Sequence, residues 1–272
     1  MASVLLSMLG KLIIGQQERN NLFKGTSRLL LVVLIGSFLY ACEVKVSTSG
    51  ESGGKNVENT TQQSPNPKPE TTAKESDRDA ENIYNRGLEK GRSGDTQGAI
   101  AEFNQAIRIS PDYAPAYSSR ATLKGLAGDP QGAIADFSEA IRIQPDNAIP
   151  YYNRGVVKNK LGDWNGAIAD LSEAIRLKSG SSGVPESGVY VARGEAKYRL
   201  ADYQGAIADF SEAVRVDPEN AYAYNARGSS KLTSKDIQGA KMDFQKAAEL
   251  FKQQGNIEFY NYTIEEIKKL SQ

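Results

Sequence analysis

Gly98-Ala99-Ile100-Ala101-Glu102-Phe103 is written five times in this chain, with small changes. It returns as Gly132-Ala133-Ile134-Ala135-Asp136-Phe137, Gly166-Ala167-Ile168-Ala169-Asp170-Leu171, Gly205-Ala206-Ile207-Ala208-Asp209-Phe210 and Gly239-Ala240-Lys241-Met242-Asp243-Phe244. The first three copies are 34 residues apart, the third and fourth 39, and the last two 34 again. A period near 34 is the mark of a stacked array. Such arrays build extended surfaces on which other chains lie.

Each unit reads as two helices. In the first, Ala99, Ile100, Phe103, Ala106 and Ile107 form the stripe of a helix with one buried face. An Asp precedes this second helix in every unit: Asp95, Asp129, Asp163, Asp202 and Asp236. Its carboxylate suits an N-cap, where it accepts from an orphan N–H. Pro111, Pro145 and Pro218 follow the second helix and stop it. The first helix carries Gly87, Ala121, Gly155, Gly194 or Gly228 at its expected crossing point. The facing residue is expected to be Ala99, Ala133, Ala167, Ala206 or Ala240.

Ala-x3-Phe-x2-Ala-x4-Pro, with a small residue twelve positions earlier, resembles the tetratricopeptide repeat over residues 80–254. The resemblance implies an all-α, right-handed solenoid of five helix-turn-helix units, 80–113, 114–147, 148–181, 187–220 and 221–254. A cap helix over 255–272 would close it, with Ile257, Tyr260, Ile264 and Ile267 as its buried stripe. The family's Leu before the small residue is Arg here (Arg86, Arg120, Arg154, Arg193, Arg227), and its later Tyr is Lys (Lys90, Lys124, Lys158, Lys197, Lys231). Glu102, Asp136, Asp170, Asp209 and Asp243 recur with them, so a repeated ion pair between Arg and acid is expected. Ser179 to Glu186 lengthens the third junction by five residues, as a tolerated loop or as a hinge.

The N-terminus points to a membrane. Lys24 and Arg28 precede the apolar run from Leu29 to Phe38, and Leu39-Tyr40-Ala41-Cys42 follows. A basic region, a short apolar region and a small residue at the cut describe a secretory signal over 1–41. Leu39, Ala41 and Cys42 resemble a bacterial lipobox, so Cys42 is the expected lipidation site. It is the only Cys, which rules out an intramolecular disulfide. Residues 42–79 are rich in Ser, Thr, Gly and Pro and read as a disordered tether. The expected setting is a bacterial cell envelope, with the array on the extracytoplasmic side.

The chain has no His, which removes His-based zinc sites and His general bases. Lys plus Arg equals Asp plus Glu at 33 each, and cleavage after residue 41 leaves a small acid excess. That balance gives no reason to expect nucleic acid. Neither catalysis, a metal nor a cofactor is expected. The partner expected from the resemblance is a protein or peptide lying in a groove lined by the first helices. By register that groove holds Tyr84, Leu88, Ser118, Thr122, Tyr152, Val156, Lys160, Val191, Glu195, Tyr198, Arg199, Tyr222, Asn225 and Ser229. Tyr152 and Tyr198 are the expected central contacts, since Tyr is a favoured interface residue. The family's carboxylate clamp needs Lys, Asn and Arg at positions where this chain has Tyr84, Leu88, Ser119, Ile149 and Asn153, so chaperone C-terminal tails are not expected. The expected function is a membrane-tethered interaction scaffold that supports assembly of another complex. The alternative is a self-associating structural lipoprotein without a dedicated peptide ligand.

Overall fold

The computed structural model describes residues 69–177 and 183–271. Cys42, the signal and most of the expected tether lie outside the described residues. Among those described, helices follow one another without a strand. They are α1 (Pro69–Arg92), α2 (Thr96–Ile109), α3 (Ala114–Leu126), α4 (Pro130–Ile143), α5 (Ala148–Leu161), α6 (Trp164–Leu177), α7 (Glu186–Arg199), α8 (Tyr203–Val216), α9 (Ala221–Thr233), α10 (Ile237–Gln253) and α11 (Ile257–Lys269). Consecutive pairs from α1 to α10 are antiparallel hairpins, and the hairpins stack into a solenoid.

The repeated Asp and Gly are one device. Asp95 caps α2 by accepting from the Gly98 N–H at 2.8 Å, and Asp129, Asp163, Asp202 and Asp236 repeat the bond at 2.9 Å. A Cβ on Gly98 would lie 1.9 Å from the Asp95 carboxylate, and the other four glycines show 2.0–2.1 Å. A side chain at that position would therefore require the Asp carboxylate to shift. One residue before each Asp the backbone turns left-handed: Gly94, Gly128 and Gly162 have φ of 82–89°. Ala201 (φ 61°) and Lys235 (φ 69°) hold the same place without being glycine. That conformation costs an L-residue about 1–2 kcal/mol, partly offset by the entropy glycine would lose. Replacing both with Gly should therefore stabilise the array by about 0.5–1 kcal/mol per site, read as a rise in Tm.

Phe103, Phe137, Leu171, Phe210 and Phe244 are at most 2% exposed, and Ala99, Ala133, Ala167, Ala206 and Ala240 are fully buried. Each large side chain contributes roughly 1.5–3 kcal/mol by burial. The crossing-point glycines serve these residues rather than the alanine methyls expected to face them. A Cβ on Gly87 would lie 2.6 Å from Phe103, on Gly155 2.8 Å from Leu171, and on Gly194 2.8 Å from Phe210. Helical side chains lean toward the N-terminus, so the residue four positions after the Ala covers the crossing.

The expected ion pair is a larger unit than a pair. Arg154 grips Asp170 with Nε and Nη2 at 2.8 and 2.7 Å, and Lys158 reaches the same carboxylate at 2.8 Å. The third nitrogen of Arg154 donates to Ser138 Oγ of the preceding unit at 2.8 Å. Arg120, Arg193 and Arg227 repeat this pattern with Asp136, Asp209 and Asp243, and reach back to Asn104, Ser172 and Ser211. The same four guanidiniums sit 5.3–6.0 Å over the rings of Tyr117, Tyr151, Tyr190 and Tyr224. Among the described residues Arg86 has no earlier unit to reach; it pairs with Glu102 and stays 53% exposed. The Arg193–Ser172 bond spans the lengthened junction, so the regular contact between units continues there.

Two expectations need correction. The first helix begins at Pro69, inside the stretch read as tether. Residues 70–78 are mostly Glu, Ala, Lys and Arg-type helix formers, and Asp77 accepts from Ser110 Oγ at 2.8 Å. At the other end, Ile257 is 55% exposed, while Phe259 and Thr263 carry the buried face of α11. Phe259 stacks edge-on to Tyr222 and beside Phe251, with centroids 5.1 and 5.3 Å apart.

Candidate functional site

Successive first helices touch one another directly, α3 with α5, α5 with α7 and α7 with α9. This puts them on the inner side of the stack. Their residues divide into two sets. One set points between neighbouring first helices and is used up in packing. Tyr152, Val156 and Asn225 are 1% exposed, and Val191 is 3%. The Tyr152 hydroxyl lies against Gly188 on α7. Asn225 Oδ1 accepts from Thr263 of α11 at 3.3 Å, and the Tyr222 hydroxyl accepts from Asn256 at 3.0 Å. Tyr84 is half-buried, shares a hydrogen bond with Ser119 Oγ at 3.1 Å, and packs on Phe103 and Tyr113. Leu88 packs against the same cluster. Tyr152, Val156 and Asn225, expected in the groove, are thus core residues, because the next inner helix covers their positions.

The second set keeps contact with solvent: Lys160, Glu195, Tyr198, Arg199, Thr122 and Ser229. Tyr198 is half-buried, stands edge-on to Tyr203 at 5.4 Å, and its hydroxyl is 3.4 Å from Thr233 Oγ1. The Arg199 guanidinium lies 5.9 Å over the Trp164 ring. Lys160 is exposed as a residue, yet burial pushes its ammonium below its ordinary value.

Glu195 is the unusual member. Part of the residue meets solvent, but Oε2 is shielded and has no hydrogen-bond partner. Burial pushes its carboxyl up to about 8, with the Arg199 charge pulling the other way. Asn159 on α5, which register did not single out, donates from Nδ2 to the Ala192 carbonyl of α7 at 2.7 Å. Its Oδ1 is buried without a donor. Two orphan acceptors therefore sit at the α5–α7 junction. Among the described residues, no group of three or more acid, His or Cys side chains could hold a metal ion. None of the described helices is long and apolar enough to cross a membrane.

Residues 80–113 and 191–254 match the family described as tetratricopeptide repeat, and residues 127–162 match the one described as TPR repeat. The chain carries tetratricopeptide repeats. Among solved structures it is similar to YrrB, described as a TPR protein with an unusual peptide-binding site. That likeness has a TM-score of 0.59 at 18% identity, over 72% of this chain and 97% of YrrB. It is also similar to MamA from Desulfovibrio magneticus RS-1, with TM-score 0.59 at 20% identity over 64% of this chain and 96% of that one. PilW, described as a widely conserved type IV pilus biogenesis factor, follows with TM-score 0.55 at 17% identity over 70% and 92%. At these identities the likeness is one of fold. No curated protein matches the chain in sequence.

Proposed function

We propose that this chain is a membrane-tethered scaffold of a bacterial envelope, whose inner helical face holds a segment of another protein. One observation carries the reading. After packing has taken Tyr152, Val156 and Asn225, a strip of Lys160, Glu195, Tyr198 and Arg199 still meets solvent on α5 and α7. An aromatic with dispersed polar groups suits an extended segment, which needs both contact area and hydrogen bonds. The peptide-binding site attributed to YrrB and the biogenesis role attributed to PilW are consistent with such a use of the fold. The tether rests on Cys42, which follows a signal-like apolar run. More than one acyl chain makes such an attachment stable.

A photo-crosslinking residue placed at Tyr198 in the native cell tests the face. It should capture one other envelope protein, and the same group at Met242, 70% exposed on α10, should not. Adducts only with a second copy of this chain would replace the reading with self-association. Equal capture from both sites would overturn it. In the same strain, Cys42→Ala should abolish fatty-acid labelling; unchanged labelling would remove the tether.

A further inference from the structure

We propose that Glu195 and Asn159 form an acceptor site for the side-chain cation of a lysine or arginine in the bound protein segment. The inference rests on the reading of the inner face as the binding surface, and adds what that segment must carry.

Position singles Glu195 out. The equivalent residues in the other units are Leu88, Thr122, Val156 and Ser229, so only the fourth unit sets a carboxyl there. Two cations on its own helix have other contacts. Lys197 holds Asp209 at 2.8 Å. Arg199, one turn along α7, spreads over Trp164 rather than bonding Glu195. Glu195 Oε2 is consequently left shielded from water and without a donor. Asn159 carries a second buried acceptor on the facing helix; its amide nitrogen is bonded to the Ala192 carbonyl, one turn before Glu195. Both acceptors are buried and unsatisfied, which a folded chain tolerates only at a cost.

The chemistry of the missing group follows from the acceptors. With Glu195 ionised, neither oxygen can be satisfied by another acceptor, so a carboxylate or phosphate is repelled. A single hydroxyl supplies one donor for two acceptors. An ammonium offers three donors and a guanidinium five, with the charge that a desolvated carboxylate needs. Burial now pushes the Glu195 carboxyl up to about 8. A cation seated against it acts in the opposite direction and favours the ionised form.

The test is selection of a random peptide-display library on the full chain, with binding of the selected peptides then measured on variants. Peptides selected by the wild type should share a Lys or Arg. Glu195→Gln should weaken them by roughly tenfold or more, while their Lys→Met versions should bind wild type and Glu195→Gln alike. Glu195→Lys should shift selection toward acidic peptides. Unchanged helical circular dichroism and melting of both variants would exclude unfolding as the cause. Peptides that lack a shared basic residue, or that bind Glu195→Gln as tightly, would overturn the cation site; if Tyr198→Ala still weakens them, the inner-face reading stands. Peptides indifferent to Glu195→Gln, Tyr198→Ala and Arg199→Ala together would overturn both.

Discussion

Asp170→Ala is expected to cost the array about 3–5 kcal/mol, the range for removing one partner of a buried charge cluster. The carboxylate is only 6% exposed and holds two cations at once, Arg154 at 2.7 Å and Lys158 at 2.8 Å. Without it, two like charges remain side by side, each less than a fifth exposed. Replacing all three charged residues with Leu or Met should restore much of the loss, since an apolar cluster carries no desolvation penalty. The pair Arg176–Glu173 provides the contrast: Arg176 is 66% exposed, so Glu173→Ala should leave the denaturation midpoint unchanged. Chemical denaturation of the three variants measures all of this. An Asp170→Ala midpoint equal to wild type would mean that solvent screens the cluster despite its burial.

Tyr152→Ala should be nearly as damaging. Its side chain is 1% exposed and fills the space between α5 and α7, where truncation of a large aromatic typically costs about 3–5 kcal/mol. Stacked units support one another, so the loss should reach the neighbouring hairpins. Tyr198→Ala, half-buried on the inner face, should melt close to wild type and lose the captured partner instead. Thermal melting paired with copurification of the partner separates the two roles. A Tyr152→Ala protein that melts normally but no longer binds would return Tyr152 to the binding surface.

The repeating parts were readable because each has a local cause. Asp163 caps a helix and Gly166 must make room for its carboxylate, so both recur wherever the hairpin recurs. The Arg and acid recurrence showed a pair but not its extent, because Ser138, Ser172 and Ser211 recur in the preceding unit and only the stacking brings them to the arginine. The start of α1 is not legible because residues before Ala80 show no apolar stripe; helix propensity and the bond from Ser110 to Asp77 support it instead. The inner face was harder still. Tyr152 and Tyr198 were both expected in the groove, yet they hold different places in the repeat: Tyr152 aligns with Val191 and Asn225, which are buried as well, and Tyr198 aligns with Asn159. Covering depends on the rotation between successive hairpins, a quantity no single hairpin encodes. Asn225 is covered by α11, whose buried side chains are Phe259 and Thr263 rather than the isoleucine pattern that suggested its orientation. Glu195 could be placed by register, but its lack of a partner follows from where Arg199 goes, and that is set by Trp164 on a different helix.

The joint between units is written half in each. Every internal hairpin brings an arginine that reaches backward and, one residue after its buried Phe or Leu, a short polar side chain that receives the next arginine: Asn104, Ser138, Ser172 or Ser211. A hairpin copied whole and inserted in frame therefore arrives with both halves of its fastening, and a hairpin deleted whole leaves two compatible ends. Length in such a chain is a heritable setting, adjustable one hairpin at a time without rewriting any side chain. The two ends are the exceptions. Among the described residues Arg86 reaches no earlier acceptor, and Gln245, whose amide oxygen can accept as that of Asn104 does, is followed by no arginine. Among the described hairpins, each end therefore carries one half of a fastening that is not used.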